Sequence, residues 1–189
     1  MGGIADGFHA GSLFFAVVPN IDAASRIYRL GEAIKCARQF QGALTGRDCL
    51  HVTLFFLGDV SGLSERYVQM VFEAAAEVKM PPFDISFDRT ASFRGQPGCH
   101  PFALLGGDGL NPLKSFRQTL GAEMTKKGLR RWANAGFTPH VTLLRDARQV
   151  EEHPIEPICW TVSEFVLIHS VRGHTHLARW PLHPSLSNS

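Results

Sequence analysis

Residues 13–18 form an unbroken apolar run that stops at Pro19 and Asn20, the signature of a short buried strand. Apolar positions then recur at spacings of three and four, at Ile21, Ala24, Ile27, Gly31 and Ile34, which predicts an amphipathic helix capped by Asn20 or Asp22. A second helix is expected around Tyr67, Val68, Val71, Phe72 and Ala75, and Pro81 with Pro82 stops it. Residues 83–87 alternate apolar and polar, as a half-buried strand does. The order then starts again. A strand-like run begins at Phe102, and a helix follows through Leu110, Leu113, Phe116, Arg117, Leu120 and Met124, ending just before Gly128. Residues 151–157 read as a connector without regular structure. Two strands, 162–171 and 175–182, joined at Gly173, close the chain, with residues 184–189 as a frayed tail.

The pattern repeats because the sequence does. The tetrapeptide His-Val-Thr-Leu stands at residues 51–54 and again at residues 140–143. A second copy of a given tetrapeptide in a chain of this length is roughly a few-in-a-thousand accident. The two histidines are 89 residues apart, and the same offset lays the first strand over the run at Phe102. The pseudo-repeats run over about residues 12–93 and 101–183. Strands separated by helices, twice over, predict an α+β or α/β protein with two similar sheet-and-helix lobes. A pseudo-two-fold arrangement would bring the two motif strands face to face across a cleft.

Composition narrows the class. With 44% hydrophobic and 19% charged residues the chain has the balance of a folded globular protein. Its net charge of +2 is too small for wholesale electrostatic capture of nucleic acid, though not for a local basic groove. The longest apolar run is far too short to span a bilayer, and the first twelve residues lack a signal peptide's basic segment and apolar core. The expectation is a cytoplasmic monomer with no membrane association and no obligate protein partner. Cys36, Cys49, Cys99 and Cys159 are too scattered for a zinc site and read as reduced, mostly buried thiols.

Alternation along a strand puts His51 and Thr53 on one face and Val52 and Leu54 on the other, and likewise for His140, Thr142, Val141 and Leu143. Two such strands would bring two imidazoles and two hydroxyls to a shared groove. One neutral imidazole can take a proton from an attacking oxygen while an imidazolium protonates the departing one, each role being worth roughly 10²–10⁴-fold. The threonines can donate to non-bridging oxygens as charge develops. A phosphodiester fits this layout, and no metal or other cofactor is required.

The stretch from His51 to Gly58, His-Val-Thr-Leu-Phe-Phe-Leu-Gly, and the stretch from Phe137 to Arg145, Phe-Thr-Pro-His-Val-Thr-Leu-Leu-Arg, resemble the two signature motifs of the 2H phosphoesterase superfamily. Within it they are most similar to the bacterial RNA 2′,3′-cyclic phosphodiesterases, also called 2′-5′ RNA ligases. The resemblance spans about residues 12–183, as one bilobal domain. It implies an α+β fold of two antiparallel-rich sheets with helices outside and a central groove. It also implies metal-independent hydrolysis of a 2′,3′-cyclic phosphate on an RNA end or small nucleotide, with ATP-independent 2′-5′ ligation in reverse. By position, His140 corresponds to the family's usual base and His51 to the acid, while Thr53, Thr142 and Arg145 hold the phosphate. Arg145 raises a geometric objection: an odd offset from His140 points it to the opposite face unless the strand ends, twists or bulges. The chain also departs from many relatives. His174 and His176 stand where an aromatic residue usually follows the hairpin glycine, and Phe55 often corresponds to a lysine. Phe55, on the His51 face by parity, and His176 are the candidate base contacts. The competing reading is a non-catalytic nucleotide-binding module. A metal-dependent hydrolase built on the histidine-rich hairpin is a weaker third.

Overall fold

The structure, a computed structural model, describes residues 11–133 and 136–183. The tail expected to fray, residues 184–189, lies outside the described residues. Strand β1 (Ser12–Val17) leads into helix α1 (Ile21–Arg38), where Asn20 settles the capping question by accepting the Ala23 N–H at 2.8 Å. Then come β2 (Val52–Asp59), α2 (Glu65–Ala76) capped by Ser64, and β3 (Phe83–Ser92). The second round runs β4 (His100–Leu105), α3 (Asn111–Lys126), the short α4 (Arg130–Ala133) and β5 (Val141–Asp146). β6 (His153–Val162), β7 (Glu164–Ser170) and β8 (His174–Pro181) complete the chain. Among the described residues, no helix is long and apolar enough to cross a membrane.

The strands form two four-stranded antiparallel sheets, ordered β2-β1-β7-β8 and β5-β4-β3-β6. This is the expected α+β pair of sheets, with one feature that sequence order hides. β3, from the first half, joins the second sheet, while β7 and β8, from the second half, join the first. Each sheet therefore takes strands from both halves. A single apolar cluster ties them together: Phe116 of α3 packs on Phe83 of the second sheet and on Phe165 of the first, at ring distances of 5.5 and 5.2 Å. A smaller strip on the other face of the first sheet, Phe14, Ala16, Val166 and Ile168, leads towards His51.

Two expectations are corrected. Residues 151–157 are not an irregular connector, because most of them belong to β6. Pro154 and Pro157 argued against a strand, but β6 is a sheet edge bonded only to β3, where missing N–H groups on the outer side go unmissed. The cysteines are free but not mostly buried: Cys36, Cys99 and Cys159 are exposed and Cys49 is half-buried.

Candidate active site

Each motif histidine sits one residue ahead of its strand, His51 before β2 and His140 before β5. Both rings are anchored in the same way. Nδ1 of His51 faces the carbonyl of Cys49 at 2.8 Å, and Nδ1 of His140 faces that of Thr138 at 2.8 Å. A carbonyl only accepts, so each Nδ1 carries the proton, and in the neutral ring Nε2 keeps its lone pair for other work. Nε2 of His51 lies 3.1 Å from the Thr53 hydroxyl, which can donate to it.

Two residues further on, both strands do the same unexpected thing. Against β1, Thr53 pairs with Ala16 and Phe55 with Phe15, leaving Leu54 as an extra residue. Against β4, Thr142 pairs with Ala103 and Leu144 with Phe102, leaving Leu143 extra. These are β-bulges at equivalent positions of the repeat, and they explain two consecutive buried residues in each strand, Leu54 with Phe55 and Leu143 with Leu144. The bulge answers the objection to Arg145. Shifted by one, Arg145 returns to the Thr142 face and lines the groove.

The same bulge overturns the expectation for Phe55. Its ring is 2% exposed and packed into the core, with the Arg117 guanidinium 4.3 Å above it. The residue on the Thr53 face is Phe56, which is 55% exposed. Counting by twos across a bulge gave the wrong phenylalanine.

A groove of about 250 Å³ brings the motifs together, lined by His51, Thr53, His140, Thr142 and Arg145, with Thr45, Cys49 and His174. Among the candidates, His176 is not in its lining. The Nδ1 of His176 instead accepts from Nη2 of Arg179 at 2.6 Å, and Arg179 also pairs with Glu164. The groove residue from β8 is His174, whose ring centroid is 4.7 Å from that of His51.

The first-motif pocket is the drier side. Burial lowers the His51 pKa from 6.5 to about 4, with the Cys49 carbonyl opposing the shift and His174, His140 and His176 adding repulsion. His174 is lowered too, again mainly by burial. Burial, helped by Asp48, raises the Cys49 thiol, which therefore stays protonated and is a poor nucleophile.

Thr45 and Cys49 had no signal in the periodicity, because they come from the irregular segment between α1 and β2. That segment is built around the second motif. The Thr45 N–H donates to the bulged Leu143 carbonyl at 2.7 Å. The Asp146 carboxylate accepts the N–H groups of Gln41, Gly42 and Arg148 at 2.6, 2.8 and 3.0 Å. Those donors, Arg148 first, hold its carboxyl below the usual range. Gly42 comes so close that a Cβ there would fall 1.8 Å from the Arg145 carbonyl oxygen, so a larger residue would push the segment off β5.

Residues 22–174 match the family described as the 2′-5′ RNA ligase superfamily. The chain belongs to the 2′-5′ RNA ligase superfamily, that is, to the 2H phosphoesterases. Membership makes it an enzyme of the phosphoesterase and ligase type. The RNA 2′,3′-cyclic phosphodiesterase of Escherichia coli K12 is similar to this superfamily member, 30% identical over 163 residues, covering 75% of this chain and 80% of that one. The crystal structure of E. coli LigT in apo form superposes with a TM-score of 0.66 at 27% identity, covering 92% of this chain and 98% of that one. TT0787 of Thermus thermophilus shares the fold, with a TM-score of 0.69 at 20% identity, 92% of this chain and 99% of that one.

Proposed function

We propose that this superfamily member hydrolyses 2′,3′-cyclic phosphates, on RNA ends or small nucleotides, to 2′-phosphomonoesters, with both motif histidines moving protons. The observation that carries the reading is the single groove lined by both motifs, with each histidine's Nδ1 held by a backbone carbonyl. The E. coli relative named an RNA 2′,3′-cyclic phosphodiesterase supports the substrate class.

In this reading a water oxygen attacks phosphorus as one neutral imidazole takes its proton. The bond from phosphorus to the ribose 3′-oxygen breaks, and the other histidine, as imidazolium, protonates that oxygen. Thr53, Thr142 and Arg145 donate to the non-bridging oxygens, where charge accumulates. The family's usual assignment makes His140 the base and His51 the acid. Burial leaves His51 neutral near pH 7 before substrate binds, so the acid role needs a proton taken up with the substrate. A phosphate anion beside the ring supplies the reason, since an opposite charge offsets the desolvation that disfavours the imidazolium. In ligation a ribose 5′-hydroxyl takes the place of water: it attacks the cyclic phosphate, the 3′-oxygen leaves, and a 2′-5′ linkage forms. The strained ring supplies the driving force, so ATP has no part in the balance.

The test is a panel of RNA with a 2′,3′-cyclic end, cyclic mononucleotides and ADP-ribose 1″,2″-cyclic phosphate, assayed in EDTA. At least one is expected to turn over, and His51→Ala and His140→Ala are each expected to lower kcat by roughly 10³-fold with the fold intact by circular dichroism. A strict metal requirement would sink the mechanism. Nucleotide binding without turnover of any member would favour the non-catalytic module instead.

A further inference from the structure

A half-buried cation on α3, Arg117, touches both motif segments. Nε of Arg117 donates to the carbonyl of Leu54, the bulged residue of the first motif, at 2.9 Å. Its guanidinium carbon lies 4.3 Å from the ring centroid of Phe55, the next residue along. It lies 4.6 Å from that of Phe137, three residues ahead of His140. One side chain of α3 is thus bonded to the segment that carries Thr53 and stacked on the segment that leads into His140. Arg117 does not line the groove. Burial lowers its pKa, so the surroundings make its charge costly rather than convenient. An apolar residue would fill this helix position at less cost, which is how the spacing of α3 alone reads.

What the charge accomplishes is visible at the bulge. An extra residue in an edge strand leaves a carbonyl turned out of the ladder, and Leu54 is 2% exposed, so water cannot readily satisfy it. The bulge sets the faces of the first motif, with Thr53 towards the groove and Phe55 in the core. In the second motif the equivalent Leu143 carbonyl is satisfied by the Thr45 N–H, from the other half of the chain. Each bulge is braced from the opposite half.

We propose that Arg117 is a positioning residue of the active site, which holds the Leu54 bulge and registers the first motif against the approach to His140. It does not touch the substrate. The kinetic part of the test rests on the cyclic phosphodiesterase reading; the geometric part does not.

The experiment compares Arg117→Met, which keeps the apolar stem between the two rings but has no donor, with Arg117→Lys, which keeps the charge and a donor in a different geometry. Both are measured for kcat and KM on the cyclic phosphate the wild type turns over. Both are also titrated by histidine NMR without substrate. Small misplacements of catalytic groups cost up to about 10²-fold, so kcat should fall roughly 10–100-fold in the Met variant and several-fold in the Lys variant. KM should stay within about threefold, since no binding group is lost. The His51 titration should move up from about 4 in the same order, as the loosened strand admits water to a ring that faces His174, His140 and His176. Wild-type kcat in a folded Met variant, or a loss carried by KM, would overturn the proposal. If the Met variant does not fold, the Lys variant decides: lowered kcat with a raised His51 titration supports the role, and wild-type values for both refute it. Should the wild type turn over no cyclic phosphate, the proposed function fails, while the His51 titrations still test Arg117.

Discussion

The two motif segments share four residues, one bulge and one way of tying down an imidazole, yet their surroundings differ at almost every other point. His51 sits among the rings of Phe14 and His174, at 5.0 and 4.7 Å, and is pushed to about 4 by burial. His140 has Phe93 at 4.9 Å. Beyond the bulge the first motif places Phe56 on the groove face, while the 89-residue register places Arg145 at the same point of the second. The first bulge is braced by a side chain, Arg117, and the second by a backbone N–H, Thr45. Under the proposed reaction the two histidines are identical proton carriers, and the difference in what surrounds them would let one serve as acid and the other as base. Identical neighbourhoods would give two groups competing for the same role.

The largest effect tests whether the two copies form one machine. If they act in a single proton relay, the double variant His51→Ala/His140→Ala should be about as slow as either single variant, near 10³-fold below wild type. Independent contributions would multiply instead, and a double variant about a thousandfold slower than the singles would show that the copies work separately. Single-turnover rates on the cyclic phosphate chosen from the panel make the measurement.

The next effect reads the dry first-motif side through stability. Below pH 6.5 an unfolded chain takes up a proton at His51 that the folded chain refuses until about pH 4. Stability therefore falls as pH drops through that window, by about 2 kcal/mol between pH 7 and pH 5 for this residue. His174 and His176, also lowered, add to the slope with the same sign. Urea unfolding at the two pH values should show the His51→Gln variant losing less stability on acidification than wild type. Equal losses would mean that His51 is not buried as the structure has it.

Much of this is legible in the sequence. The paired strands, the helices and the two histidine–threonine pairs follow from periodicity and from the repeat, because spacing along a chain directly controls which face a side chain takes. The bulges are not legible. Leu54-Phe55 and Leu143-Leu144 are ordinary apolar pairs, and nothing local in them says that both members of a pair are buried. That one-residue insertion is why parity placed Phe55 at the groove and cast doubt on Arg145. Strand exchange between the halves is also hidden, because sequence order carries no record of which sheet a strand joins. β6 escapes for the opposite reason: two prolines look like a veto until the strand is known to be an edge. Arg117 reads as one more helix position, but its meaning depends on a carbonyl 63 residues away.

The smallest effects probe the position just beyond the bulge, where one copy of the repeat has an aromatic ring and the other a cation. Arg145, on the Thr142 face and lining the groove, is suited to an anionic oxygen whatever the rest of the ligand is. Phe56, exposed on the Thr53 face, offers a flat apolar surface that an inorganic anion cannot use. Arg145→Ala should weaken binding of both inorganic phosphate and a nucleoside 2′-monophosphate by about tenfold, with the salt dependence of a lost charge contact. Phe56→Ala should leave inorganic phosphate binding unchanged and weaken the nucleotide by about fivefold, the low end of what a stacked base is worth. Calorimetric titration of the two ligands against the two variants separates these outcomes. Equal losses for both ligands in the Phe56 variant would mean that the ring shapes the strand rather than receiving a base. Unchanged phosphate affinity in the Arg145 variant would mean that the bulge brings the guanidinium to the groove without bringing it to the anion.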